Sequence, residues 1–395
     1  MKLLHTSDWH LGQSFMGKSR LEEHQAFLTW LSLTIETQEI DTLIVAGDIF
    51  DTATPPNYAL ELYYNFLTKL SSKCKNIIIT AGNHDSVATL KAPKQLLKAL
   101  NIHVVASGDE NEDEIIRIYR DEELEGIICA VPFLRDYVVR QSLSGETMSD
   151  KETSLSEGIR EHYKSVYKEA LELSQNKDVP IIATGHLTTV GSKTSESERK
   201  IYIGGTLDID SDFFASYFDY VALGHLHINQ KVGREHIRYS GSPIPLSFSE
   251  SGTQKKVNII NFTKKDMQIT ELEIPLHRAL LVIRGDLESI LTELHSVKDK
   301  ETWIEVHISD DNPFHANQSI RETAQELELI LLAVKIDKVE QALSRETFDV
   351  LSLDELNPLD VFGRRLEQDG LGDNEEFTKE LITNFKKIVD EVQNS

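Results

Sequence analysis

Along residues 1–275 one pattern recurs: a short apolar run ends in a small cluster of Asp, His, Asn and Gly, and a helical stretch often follows. The runs are Lys2–His5, Thr42–Ala46, Asn76–Thr80, Ile127–Val131, Pro180–Thr184 and Asp219–Leu223. Short runs rich in Ile and Val read as buried strands. Between them, Leu21, His24, Leu28, Leu31 and Ile35 recur at three- and four-residue steps, as do Leu60, Tyr64, Leu67 and Leu70. Each set lays an apolar stripe along one side of a helix. Alternation of strand and helix predicts an α/β architecture.

From about Arg278 the pattern changes. Ala279–Ile283, Thr302–Ile308 and Ile330–Ile336 read as strands, with helical stretches at Leu287–Leu294 and Ile320–Leu327 between them. This βαβαβ unit carries no His/Asp cluster at its strand ends and reads as a second, smaller α+β domain without catalytic groups of its own. Beyond it two helical stripes are expected, Leu356, Leu359, Phe362 and Leu366, then Phe377, Leu381, Phe385, Ile388 and Val392, broken by Gly370-Leu371-Gly372. The expected division is therefore 1–275, 276–340 and a C-terminal helical segment at 341–395. Gln141–Gly158 and Thr188–Lys200, both polar, read as loops.

Composition narrows the class. Of 395 residues, 40% are apolar and 27% charged, as in a soluble globular protein. No apolar run approaches the ~18 residues of a membrane span, so no membrane association is expected. The opening residues lack the apolar region of a signal peptide, which points to the cytoplasm. The two cysteines, Cys74 and Cys129, read as buried thiols of a reducing compartment. A net charge of −24 opposes a free-standing nucleic-acid binder, because phosphate backbones draw basic surfaces. Bound cations and a basic partner would offset it.

The candidate chemistry sits where the strands end. Asp8 and His10 follow the first run, Asp48 the second, and Asn83, His84 and Asp85 the third; His186 and then His225 and His227 follow later ones. Sites in α/β sheets are built at the carboxyl ends of strands. Carboxylate, amide oxygen and imidazole suit Mn, Fe or Zn rather than a thiolate zinc site. A carboxylate with two oxygens can bridge two cations ~3.5–4 Å apart. In extended backbone a residue and its second neighbour point the same way, so Asp8/His10 and His225/His227 can each aim two groups at one site.

Asp8-x-His10, Gly47-Asp48-x-x-Asp51, Gly82-Asn83-His84-Asp85, Gly185-His186 and Gly224-His225-x-His227 together resemble the motif series of the calcineurin-like metallophosphoesterases. His5–Gly12, Gly47–Asp51 and Tyr239–Phe248 narrow the resemblance to the SbcD exonuclease subunits of the Mre-type nucleases. The resemblance implies a four-layer α/β/β/α sandwich, a capping domain and a C-terminal region that binds an SbcC-type ATPase. By motif, Asp8, His10, Asp48 and His227 would hold one metal, and Asp48, Asn83, His186 and His225 the other. Asp48 would bridge, and His84 would act in catalysis. Asp85 is the expected acceptor that orients His84. The family further implies two divalent ions, manganese above all, and a homodimer of nuclease subunits. It also implies ATP-dependent 3′→5′ exonuclease and hairpin-opening endonuclease activity in DNA end processing, repair and recombination.

Lys18, Arg20, Lys193, Arg199 and Lys200 lie in loops that leave the expected active edge and are candidates for phosphate contacts. The competing reading is another metallophosphoesterase, a protein phosphatase or a small-molecule phosphodiesterase. Phosphatases of the superfamily usually carry Arg soon after the Gly-Asp motif and Glu after Asn-His. Here Thr52-Ala53-Thr54 and Asp85 stand in those places. A decayed, non-catalytic scaffold would have lost ligands, and none of the expected ligands is missing.

Overall fold

The computed structural model describes residues 1–109, 114–139, 147–175, 177–195, 197, 198, 209–310, 313–336 and 385. The chain opens with β1 (Lys2–Thr6), a small hairpin of β2 (Ser14–Phe15) and β3 (Lys18–Ser19), helix α1 (Leu21–Thr37) and β4 (Thr42–Ala46). It continues through α2 (Asn57–Leu70), β5 (Asn76–Thr80), α3 (Val87–Lys91), α4 (Lys94–Lys98) and β6 (Ile102–Val105). Next come β7 (Ile115–Arg120), β8 (Glu123–Cys129), α5 (Asp136–Val139), α6 (Met148–Leu173), β9 (Ile181–His186), α7 (Ser211–Ala215) and β10 (Tyr220–Gly224). Two hairpins follow, β11 (Gln230–Val232) with β12 (Arg234–Tyr239) and β13 (Lys256–Thr263) with β14 (Asp266–Glu273). The last elements are β15 (Leu280–Gly285), α8 (Leu287–Ser296), β16 (Trp303–Ile308), α9 (Pro313–Glu326) and β17 (Ile330–Ile336).

Two six-stranded sheets run β14-β13-β1-β4-β5-β6 and β11-β12-β10-β9-β8-β7. Strands β1, β4, β5 and β6 are parallel, as are β8, β9, β10 and β12, so each sheet delivers several carboxyl ends to one edge. The layering follows from alternation along strands apolar on both faces. Leu4, Leu43, Val45, Ile77 and Ile79 pack beneath α1 and α2. Ile127, Cys129, Ile181, Ala183, Val221 and Leu223 pack beneath α6 and α7. The intervening residues Leu3, Ile44, Ala46, Ile78, Ile128, Ile182 and Ala222 meet between the sheets. This is the four-layer α/β/β/α sandwich. Both cysteines are buried and free, and burial pushes the thiols up, Cys74 to about 12.

Three readings of the sequence need correction. Half of Gln141–Gly158, expected as a loop, is the start of α6, where Thr147 and Asp150 form a capping box. Leu155, Ile159, Tyr163, Val166 and Ala170 supply the buried stripe that its charged residues disguise. On α2 the buried face centres on Ala59, Tyr63, Phe66, Leu67 and Leu70, which leaves Leu60 and Tyr64 at its margin. The antiparallel strands β11 to β14 were not anticipated; β13 inserts beside β1 and widens the first sheet.

The smaller domain is the expected βαβαβ unit. Its strands run β15-β16-β17, all parallel, so the cap is in detail an alternating α/β unit rather than α+β. One sheet face is covered by α8 and α9 through Ile283, Ile290, Leu294, Val306 and Ile320. Leu280 and Trp303, on the other face, pack with Phe15 and Phe248 of the larger domain. The chain divides into units after Asp337, and the stripes expected at 341–395 fall outside the described residues except for Phe385.

Candidate metal centre

The loops after β1 and β4 are joined backbone to backbone. Asp8 N–H donates to Gly47 O at 3.0 Å and His10 N–H to Asp48 O at 3.0 Å. Asp8, His10, Asp48 and His225 all hold positive φ, at 53°, 47°, 50° and 96°. Such conformations cost energy in residues with a Cβ and gather at functional sites. Two glycines make room. A Cβ at Gly47, itself at φ 89°, would run into His186, and one at Gly224 would overlap Ala46 O.

Carboxylate oxygens and imidazole nitrogens converge in three groups: Asp8/His10/His227, His10/Asp48/His84 and Asp8/Asp48/His186, each with ligand atoms within 4.8 Å of one another. His186 makes the fit to a cation explicit. Its Nδ1 is 3.0 Å from Ala46 O, a carbonyl that can only accept, so Nδ1 carries the proton. Nε2 then faces Asn83 Oδ1 at 3.0 Å and Asp48 Oδ2 at 3.3 Å. In the neutral ring, two oxygens and a ring nitrogen, all electron-pair donors, meet at one point, which a cation or a proton on Nε2 can hold. Nearby, the buried His10 Nε2 stands 3.6 Å from Asp48 Oδ2 and makes no hydrogen bond among the described residues. The donor set fits hard-to-borderline divalent ions. His225 lies beside this group, its ring centroid 5.4 Å from that of His186, and its N–H donates to Asp8 Oδ1 at 2.9 Å. The expected ligands Asp8, His10, Asp48, Asn83, His186, His225 and His227 thus share one edge.

The buried charges of the site shift one another. Burial alone would raise the Asp48 carboxyl, but His186, His10 and His84 outweigh it and hold it far below the carboxylate range. Burial would lower His186, yet Asp48 and Asp8 drive it up to about 9. Burial raises Asp8 and pushes His225 well down.

His84 and Asp85 divide differently than expected. His84 N–H donates to Asp48 Oδ1 at 2.9 Å, and its Nδ1 lies 2.6 Å from the carbonyl oxygen of Asp51. Asp85 accepts from the N–H groups of Gly82 at 2.8 Å, Phe50 at 3.0 Å and Ile49 at 3.1 Å. The expected acceptor role of Asp85 is therefore corrected: the Asp51 carbonyl orients His84, and Asp85 ties the two ligand loops together. Burial and then Asp48 raise the Asp85 carboxyl to about 6, against the three N–H donors.

Other residues at the site were not read from the sequence. Asp51 Oδ1 is 3.3 Å from His10 Nδ1. Ser197, Glu198, Glu250 and Lys255 surround His227. Only the nearness of Glu250 to the Tyr239–Phe248 motif hinted at the last two.

Of the candidate phosphate contacts, Lys18 and Lys193 are exposed, and Arg199 and Lys200 lie outside the described residues. Arg20 is a correction. It is 0% exposed, donates from Nε to Glu23 at 2.8 Å and from Nη1 to Pro245 O at 2.9 Å, and lies 5.2 Å from each of the Phe15 and Trp303 rings. It fastens the cap to the larger domain and is closed to DNA.

Comparison with known proteins agrees with this geometry. The family model for calcineurin-like phosphoesterases matches residues 1–229, and that for the type 5 capsule protein repressor C-terminal domain matches 277–370. The chain is 40% identical over 388 residues to the SbcD subunit of nuclease SbcCD from Escherichia coli (strain K12), with 95% of each chain covered. It is 33% identical over 318 residues to the SbcD subunit of the same nuclease from Bacillus subtilis (strain 168), covering 78% of this chain and 79% of the relative.

Proposed function

Because the chain belongs to the SbcD family of nuclease subunits, within the calcineurin-like phosphoesterases, we propose that it is the nuclease half of an SbcCD-type complex and hydrolyses DNA phosphodiesters at a two-metal centre. One observation carries the reading: five strand ends bring Asp8, His10, Asp48, Asn83, His186, His225 and His227 to one edge, with electron-pair donors facing one another. Asp8, His10, Asp48 and His227 would hold one divalent ion, and Asp48, Asn83, His186 and His225 the other. Manganese is the ion this imidazole-rich oxygen set favours over magnesium. Two such ions would polarise the phosphodiester and bring a water into the acidity range of neutral solution.

The protein's own groups do the rest. Asp48 Oδ2 faces His186 Nε2 at 3.3 Å and His10 Nε2 at 3.6 Å, between the two proposed ligand sets. His84, its Nδ1–H given to the Asp51 carbonyl, would act on a phosphate or leaving-group oxygen through its other ring nitrogen. Asp85 fixes the distance between the Asp48 and His84 loops. Lys18 and Lys193 are the described cations placed for phosphate contact.

An acidic chain leaves much of the DNA surface to a partner. Residues 340–395, with fourteen acidic and six basic residues, suit an ATPase subunit rather than DNA. In this reading 1–275 is the nuclease domain, 276–340 the cap and 341–395 the docking segment, in a complex with two nuclease subunits. No helix among the described residues is long and apolar enough to cross a membrane.

The test is hydrolysis of linear duplex DNA, a cyclic dinucleotide and an aryl phosphate in manganese, with and without the ATPase subunit, beside a metal count. Duplex cleavage by wild type, with two metals bound, is expected. Asp48→Ala should lose both cleavage and metals. A wild type that cuts only the aryl phosphate, or an active Asp48→Ala, refutes the proposal.

A further inference from the structure

His227 reaches the candidate metal centre from the loop after β10, and its Nδ1 edge is held by a largely buried polar chain. Its Nδ1 lies 2.5 Å from Ser197 Oγ, which lies 2.6 Å from Glu250 Oε1. Glu250 is 2% exposed. Its other oxygen is gripped by the Lys255 ammonium, the Leu246 N–H at 3.3 Å and Ser242 Oγ at 3.4 Å. The Lys255 ammonium also donates to His227 O at 3.0 Å, and Glu198 Oε1 accepts the His227 N–H at 2.8 Å.

Donor and acceptor counting fixes the direction of this chain. A carboxylate paired with an ammonium can only accept, so the single Ser197 hydroxyl proton goes to Glu250. Ser197 Oγ is then left to accept, and His227 Nδ1 must donate. A second hydroxyl, Ser195 Oγ, backs the pair at 2.7 Å from Ser197 and 3.3 Å from Glu250. With its proton committed to Nδ1, His227 presents Nε2 as the lone-pair nitrogen. His227 shares its ligand group with Asp8 and His10.

We propose that Ser197 and Glu250 are positioning residues of the metal centre, acting through a relay from His227 Nδ1–H to Ser197 to Glu250 that fixes the tautomer and ring orientation of His227. Partners behind ligating imidazoles usually connect directly to a carboxylate or carbonyl. Here the carboxylate is 3.7 Å from Nδ1, and the serine closes the gap. The hydroxyl comes from the Thr188–Lys200 stretch, so that loop serves the metal centre as well as its surface. Lys255 keeps Glu250 from being an uncompensated buried charge. The inference rests on the two-metal reading above.

Calorimetric titration of the full, metal-stripped chain with Mn²⁺ tests it, with metal-free thermal unfolding measured in parallel. In wild type, two sites are expected. Ser197→Ala should weaken one of them by about 10–100-fold while leaving the other unchanged, the range typical when such a partner is removed. Ser197→Thr, which keeps the hydroxyl, should restore it. Glu250→Gln should weaken the same site, and the double variant should be little worse than either single one, because both break one chain. Wild-type affinity in Ser197→Ala, no recovery in Ser197→Thr, or additive losses in the double variant would each overturn the relay. A metal-free melting loss that accounts for the affinity change would reduce Ser197 to packing and overturn it too. Failure of wild type to bind Mn²⁺ would instead bring down the two-metal reading itself.

Discussion

His84 Nδ1 lies 2.6 Å from the carbonyl oxygen of Asp51, a contact that gives the ring a fixed orientation while the His84 backbone N–H donates to Asp48 Oδ1. A ring oriented from behind, one residue after the proposed ligand Asn83, has the placement that a group acting on phosphate would need. His84→Gln is therefore expected to keep both metals and to lose turnover by ~10²–10⁴-fold, the usual contribution of a general acid or base. Metal counting with single-turnover cleavage checks this. A lost metal would make His84 a ligand, since it also groups with His10 and Asp48.

Arg20 and Trp303 join the two domains. Arg20→Ala removes one of the two arginines on buried Glu23, the other being Arg278 at 3.2 Å, and the cation lying over the Phe15 and Trp303 rings. The expected cost is below the about 3 kcal/mol of a buried ion pair broken outright, because Arg278 still compensates Glu23. Arg20→Lys should recover only part of it, because an ammonium lacks the planar fork. Urea unfolding measures the loss. The salt dependence of DNA binding should not change, whereas a flatter slope would restore Arg20 as a phosphate contact.

His5 and His24 give the fold an acid limit. Burial holds both rings down to about 3, against an ordinary value near 6.5. Between those values the unfolded chain binds more protons than the folded one. Stability is thus full above pH 6.5 and falls as pH is lowered toward 3. Each ring contributes up to ~1.4 kcal/mol per pH unit across that window. Urea midpoints in chelator from pH 7.5 to 5 should show the fall, and His24→Gln should flatten it. An unchanged slope in that variant would remove His24 from the account.

Residues up to Asp337 close their own hydrophobic cores, both in the sandwich and in the cap. A chain ending at Asp337 should remain folded and bind metal but fail to co-purify with the ATPase subunit. Full-strength association of the truncated chain would place the docking surface elsewhere.

The five clusters of candidate ligands were legible in the sequence because each is local: a buried strand is a short apolar run, and its polar residues follow within a few positions. That parallel strands share an edge made their convergence predictable too. Local pattern reports which residues are buried, but not what they meet. Arg20 looked like a surface cation because its partners, Pro245 and Trp303, are distant in sequence. Asp85 and Asp51 look alike in sequence, yet backbone geometry gave one the loop amides and the other the His84 ring. The polar start of α6 hid its stripe because charged residues fill the solvent face. Ser197 and Glu250 carried no signal, since a relay exists only once two distant loops close around His227. The sequence by itself determined the chemistry of the ligands and the strands that carry them. Tertiary packing decided how those ligands are held, because hydrogen bonds between loops depend on distances that no periodicity encodes.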